Sequence, residues 1–453
     1  MTQQDLAIVN GDVVVGGDIV KVNVGASDGR ITILSDGPID AATTIDATGL
    51  LVMPGVIDEH FHCFYGYGWE TYQGSSRGAI RGGVTTVVDM PLDKPPTLTA
   101  EALRAKLDVI RGNCHVDYAS FGGYLEDDPD EMTAMAAEGV AAFKLFTGGV
   151  APPGMYPGVD DGQILDALRR AASLGRTTTV HCEHAPIVDW ETNRLMGEGR
   201  LDMAAWDEAR PWYSEVAAAQ NVALIAQVTG ARTVIAHASS PQTVEAIAAA
   251  RRHGADVWIE TCHHYLCSTQ EEALADIRLK WNPPTRNSAS VEWLWRLLAE
   301  GHIHTVASDH APLPKSVAED VWVQSPGSGN GVQLFFPVFA TKAVHEHGIP
   351  MTRVVELVST TPAKLFGLHP RKGEIAVGAD ADLAIVQTDG HHVLDARELE
   401  YHDQEPWSPF DGMELRVIPQ YTVLRGKLVY AEGEVTGSPE DGQHIVVGAP
   451  VPA

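Results

Sequence analysis

The apolar positions of this chain fall into two textures. At 6–10, 12–15, 19–24 and 31–34, short Val- and Ile-rich runs are separated by Gly and Asp, which reads as strands joined by tight turns. The same texture returns at 383–387, 417–421 and 427–432, so the two ends are predicted to form one discontinuous β unit. Between them the rhythm changes. Eight apolar runs, at 51–62, 85–90, 116–122, 141–146, 177–183, 233–239, 256–262 and 303–310, alternate with stretches of helical spacing such as 100–111, 162–174 and 241–253. Most of these runs are continuous Val, Ile, Ala and Thr, as a strand requires when both of its faces are buried. Eight such repeats predict an α/β fold with a closed parallel (β/α)8 TIM barrel; an open, doubly wound sheet is the competing arrangement.

Catalytic groups of a barrel collect at the C-terminal ends of its strands. The first run ends in Asp58-Glu59-His60-Phe61-His62, and a period of two puts His60 and His62 on one side of the strand. The fourth ends in Phe143-Lys144-Leu145-Phe146, the fifth in His181-Cys182-Glu183, the sixth in His237-Ala238-Ser239 and the eighth in Ser308-Asp309-His310. Four histidines, a lysine and an aspartate are thus expected at one mouth. Each alone has a plainer reading: a strand histidine can be a hydrogen-bonded structural residue, and Asp309 can cap the helix that follows. Lys144 carries the most information. An ammonium between Phe143 and Leu145 in a buried strand is costly to desolvate, so it either pairs with a core carboxylate or is kept neutral and carboxylated by carbon dioxide. The resulting carbamate would bridge two cations. Imidazole and carboxylate-type oxygen suit zinc, and also manganese, cobalt or nickel. Such a pair would hold a hydroxide near neutral pH to attack an amide carbonyl, with Asp309 placed to pass the proton to the leaving nitrogen.

Composition narrows the setting. Lys and Arg total 32 against 60 Asp and Glu, a net charge of −28, which disfavours nucleic acid and anionic membrane as partners. No apolar run is long enough to cross a bilayer, and the first ten residues do not read as a secretory signal. Five scattered cysteines make no disulfide framework, so a reducing cytoplasm is expected.

With these residues in view, the chain resembles the amidohydrolase superfamily, in particular its allantoinase, hydantoinase and dihydropyrimidinase branch. The matching stretches are Asp58–His62, Phe143-Lys144, His181-Cys182-Glu183, His237-Ala238-Ser239, Glu260–Leu266 and Ser308–Pro312. The resemblance implies that His60 and His62 bind a buried metal and His181 and His237 an outer one. It further implies that Lys144 is the bridging N6-carboxylysine and that Asp309 is both ligand and catalyst. It makes the β unit a small sandwich, dividing the chain into 1–52 (sandwich), 53–369 (metal-dependent barrel) and 370–453 (sandwich). It also implies two divalent cations per chain, a small-molecule cyclic amide substrate and a homotetramer. Asn282 and Gly327 match positions where the family's backbone holds the ring amide.

Within the branch, dihydroorotases carry an arginine just after the His-x-His pair, whereas Cys63-Phe64-Tyr65 follows here. Hydantoinases and dihydropyrimidinases place a tyrosine a few residues past the carboxylated lysine; here Leu145-Phe146-Thr147-Gly148-Gly149 follows. Allantoinases also lack that tyrosine, so allantoin hydrolysis is the expected activity. A hydantoinase, dihydropyrimidinase or cyclic imide hydrolase with a bulkier apolar substrate is the alternative, and a metal-free scaffold relative is the non-enzyme one. Two further stretches carry open readings. The aromatic cluster Phe64, Tyr65, Tyr67, Trp69 and Tyr72 either walls a pocket or packs beneath its own loop. Residues 151–158 form either a lid or an ordinary Pro/Gly connection.

Overall fold

The computed structural model describes residues 3–148, 154–314, 320–327, 331–400 and 406–448. Eight parallel strands form the central sheet: β1 (Val56–Phe61), β2 (Val84–Asp89), β3 (Asp117–Gly122), β4 (Ala142–Phe146), β5 (Thr177–His181), β6 (Thr233–Ile235), β7 (Val257–Cys262) and β8 (Thr305–Ala307). They are hydrogen-bonded in chain order. A parallel bridge between Phe61 and His310, with the His62 N–H donated to the His310 carbonyl at 2.8 Å, joins the last strand to the first. The open-sheet alternative is thereby excluded, and the (β/α)8 barrel is the fold. Helices cover the outside where the spacing predicts them. Asp161–Ser173 buries Ile164, Ala167, Leu168 and Ala171, one helical stripe, and starts at a reciprocal cap between Asp160 and Gln163. Ala100–Ile110 is capped by Thr99 and Pro241–Arg252 by Ser240.

Both termini build the second unit, a sandwich of a four-stranded and a seven-stranded sheet. Leu51–Pro54 pairs antiparallel with Leu383–Gln387, so the N- and C-terminal parts share one ladder. Leu6, Ile8 and Val24 of one sheet pack with Val13, Leu383 and Val423 of the other in a common core. Lys372, buried between barrel and sandwich, pairs with Asp117 of β3 at 2.5 Å, with Asp380 at 3.0 Å and with Asp382. This cation accounts for the close approach of three buried carboxylates. Among the described residues no helix is long and apolar enough to cross a membrane.

Several predicted runs are corrected. The run at 51–62 is two strands, Leu51–Pro54 in the sandwich and β1 in the barrel, broken at Gly55. A Cβ there would lie 2.1 Å from Thr85 Oγ1, so the crossing needs a residue without one. The run at 19–24 also splits, Asp18–Val20 joining one sheet and Asn23–Ser27 the other. Ala41–Asp46 was not anticipated: it is an edge strand with only Ile45 buried, so no apolar alternation marks it. The sixth and eighth runs stop early because His237 (φ 38°) and Asp309 (φ 45°) turn the backbone into the left-handed region. Substituting Gly55→Ala should cost about 1–3 kcal/mol through the forced clash, read as a lower denaturant midpoint; an unchanged midpoint would contradict this crossing geometry.

Candidate active site

The six residues expected at the mouth do converge. His60 Nε2 lies 3.5 Å from Lys144 Nζ and 3.4 Å from Asp309 Oδ1, and His62 Nε2 lies 3.5 Å from the same oxygen. His181 Nδ1 faces His237 Nε2 at 2.9 Å. All six line one cavity together with Asn282 and Gly327. The left-handed backbone at His237 and Asp309 is unfavourable for residues with a Cβ, by about 1–3 kcal/mol each. It aims both side chains inward just where their strands end.

Electrostatics suit the ligand role. Burial pushes the His60 imidazole well below its ordinary pKa; burial does the same at His237 and, less strongly, at His62. These rings are therefore neutral near pH 7, as a metal ligand must be. Burial lowers the Lys144 amine too. Among the described residues no carboxylate lies within ion-pairing distance of its Nζ; its near neighbours are His60 Nε2 and the Phe146 ring, 5.1 Å away. The reading of Lys144 as one half of a core ion pair therefore has no partner. Burial alone would raise Asp309, but the facing His60 and His62 hold it below the usual carboxylate value, so it is an anion. The residues present thus fit a pair of divalent cations: neutral nitrogens, one carboxylate, and an amine able to become a carbamate.

Two groups that sequence reasoning left without a role orient the imidazoles. Glu260, on β7, meets His60 Nδ1 at 2.6 Å and accepts the His237 backbone N–H at 3.0 Å. Burial pushes its carboxyl up to about 8. Glu183 meets His181 Nε2 at 2.9 Å and is paired with Arg210. Each fixes which ring nitrogen faces the cavity. Glu183 lies two residues from its partner and could have been found from that spacing; Glu260 acts across the barrel, which no local pattern reveals.

The family assignment follows from sequence comparison. The sequence model described as the Amidohydrolase family matches residues 51–429. This chain belongs to that family. The amidohydrolase is 37% identical over 440 residues to an allantoinase of Rubrobacter xylanophilus, covering 95% of this chain and 96% of that protein. It is 32% identical over 450 residues to an allantoinase of Salmonella choleraesuis, covering 98% of each. Among solved structures, an L-hydantoinase (dihydropyrimidinase) from Arthrobacter aurescens superposes with a TM-score of 0.92 at 32% identity, over 98% of this chain and 100% of that one. A dihydropyrimidinase from Brevibacillus agri NCHU1002 gives 0.91 at 26%, over 99% of both chains.

The rest of the cavity of this amidohydrolase is apolar: Phe64, Leu92, Phe146, Met155, Ala311 and Leu313 line it. Of the aromatic loop only Phe64 reaches the cavity, stacked on His62 at 5.0 Å. Tyr67 and Trp69 stack on each other behind it, and the Tyr72 hydroxyl is bonded to Asp89. Both readings of that loop thus hold, for different residues. In the 151–158 stretch, 151–153 lie outside the described residues. Met155 faces the cavity, while the Tyr156 hydroxyl donates to the Lys144 carbonyl at 3.1 Å. Among the described residues no tyrosine lines the cavity. If Glu260 orients His60, Glu260→Ala should weaken metal binding about 10–100-fold, measured by chelator competition, with Glu260→Gln retaining most of it. Equal affinity in both variants and the parent would show that His60 needs no such partner.

Proposed function

We propose that this amidohydrolase hydrolyses one ring C–N bond of a cyclic ureide, with allantoin as substrate and allantoate as product. The observation that carries the reading is the meeting of four histidines, the buried Lys144 and Asp309 at one cavity. Nearly full-length likeness to allantoinases, and the lack of a cavity tyrosine among the described residues, support allantoin. When bound, two divalent cations, zinc first and manganese, cobalt or nickel as alternatives, supply a polarised carbonyl and a water acidic enough to react near neutral pH. His60 and His62 would hold the inner cation, His181 and His237 the outer one, and Lys144, as N6-carboxylysine, both.

The chain's own part in the chemistry is proton handling and orientation. Asp309 takes the proton of the attacking water on its carboxylate and returns it to the departing ring nitrogen. The Asn282 Oδ1, buried and without a hydrogen-bond partner among the described residues, is placed to accept a ring N–H, and Gly327 offers backbone on the cavity wall. Five free cysteines, at least four of them buried, support a reducing cytoplasmic setting. A homotetramer remains the expected assembly.

The apolar lining favours a second reading, in which the ring carries an apolar substituent, as in a 5-substituted hydantoin or a cyclic imide. Metal-replete protein assayed against allantoin, dihydrouracil, hydantoins and cyclic imides separates these: allantoin should give the highest kcat/KM, and a preference for dihydrouracil would overturn the assignment. Lys144→Ala should lose most bound metal and more than about 10³-fold in kcat/KM. Asp309→Asn should lose about 10²–10⁴-fold in kcat. Parent-like rates and metal content in the lysine variant would reject the carbamate.

A further inference from the structure

We infer that Trp206 is a positioning residue that couples the orientation of the outer-metal ligand His181 to that of the cavity rim at Asn282 and Gly327. The inference rests on the metal-site reading given above and adds a residue that lies outside the cavity. Trp206 sits on Met203–Ala209, a short helix in the long connection between β5 and β6, and is almost fully buried.

Two cations approach its ring. The Arg210 guanidinium carbon lies 4.2 Å from the ring centroid and Lys280 Nζ 3.9 Å from it. Each cation performs a separate task. Arg210 is paired with Glu183, the carboxylate that receives His181 Nε2 at 2.9 Å. Lys280 donates to the Val321 and Gln324 carbonyls at 2.7 and 2.6 Å, and its own carbonyl accepts the Gly327 N–H at 3.2 Å. The indole N–H completes the connection by donating to the Trp281 carbonyl at 3.2 Å, one residue before Asn282.

The geometry gives Trp206 two separable functions. Its electron-rich face helps to hold two buried cations where they are needed, an attraction that grows when water is excluded. Its N–H fixes the peptide that leads into Asn282. Losing the first should loosen Glu183 and with it His181; losing the second should loosen only the rim. Simple space-filling by the indole would link neither pair of properties.

The test compares Trp206→Phe, which keeps a ring under both cations but removes the N–H, with Trp206→Leu, which removes both. Two readouts apply: steady-state kinetics on the cyclic substrate, and the rate of metal release to a chelator from the metal-loaded protein. Trp206→Phe should raise KM about five-fold, the worth of one hydrogen bond, with kcat and metal release close to the parent. Trp206→Leu should raise KM at least as much and release the outer metal about ten-fold faster. Parent-like KM and metal release in both variants would overturn the coupling. So would a Trp206→Leu protein that is less stable but whose folded fraction keeps parent-like values. Metal release does not depend on which ureide is turned over, so a wrong substrate assignment would leave that arm intact and be told apart from a failure of the coupling.

Discussion

A lysine enclosed by a barrel, with no carboxylate at ion-pairing distance among the described residues, is the constraint on which the rest of the site depends. Keeping an ammonium there would cost several kcal/mol, offset only in part by Glu260 and Asp309, which lie beyond ion-pairing distance. Lys144 lies on β4 with its Nζ near His60 and over Phe146, and burial depresses its amine. The surrounding imidazoles of His60, His62 and His237 are driven to their neutral forms by the same burial. The mouth is therefore a set of lone-pair donors with one anion, Asp309. Such a set suits divalent cations, and under the proposed function a carbamate on Lys144 would add a second anion able to hold both.

Placing these donors requires rigidity at each strand end. The barrel provides the framework, and carboxylates provide the fine adjustment: Glu260 for His60 and the His237 backbone, Glu183 for His181. The left-handed backbone at His237 and Asp309 belongs to the same adjustment. Strain of this kind persists only where the surroundings over-determine it, here through the strands of a closed barrel. The hydrolytic reading and the coupling through Trp206 both depend on this stiffness.

Much of this was legible in the sequence because the barrel repeats one pattern. Continuous apolar runs mark β2 to β5 and β7 to within a residue or two, and a titratable residue at the end of a run marks the site. What was illegible depends on long-range contact. The break at Gly55 comes from Thr85, thirty positions away in the chain. Glu260 gains its role only when β7 closes against β1, and Trp206 only when the β5–β6 connection folds over the segment holding Lys280 and Trp281. Ala41–Asp46 escaped because an exposed edge strand has little apolar periodicity to read.

The most direct test of the central claim is carbon NMR of metal-loaded protein equilibrated with isotope-labelled bicarbonate. The account predicts a single slowly exchanging carbamate resonance, equivalent to one label per chain and absent from Lys144→Ala. Fully metal-loaded, active protein without any labelled carbamate would contradict it.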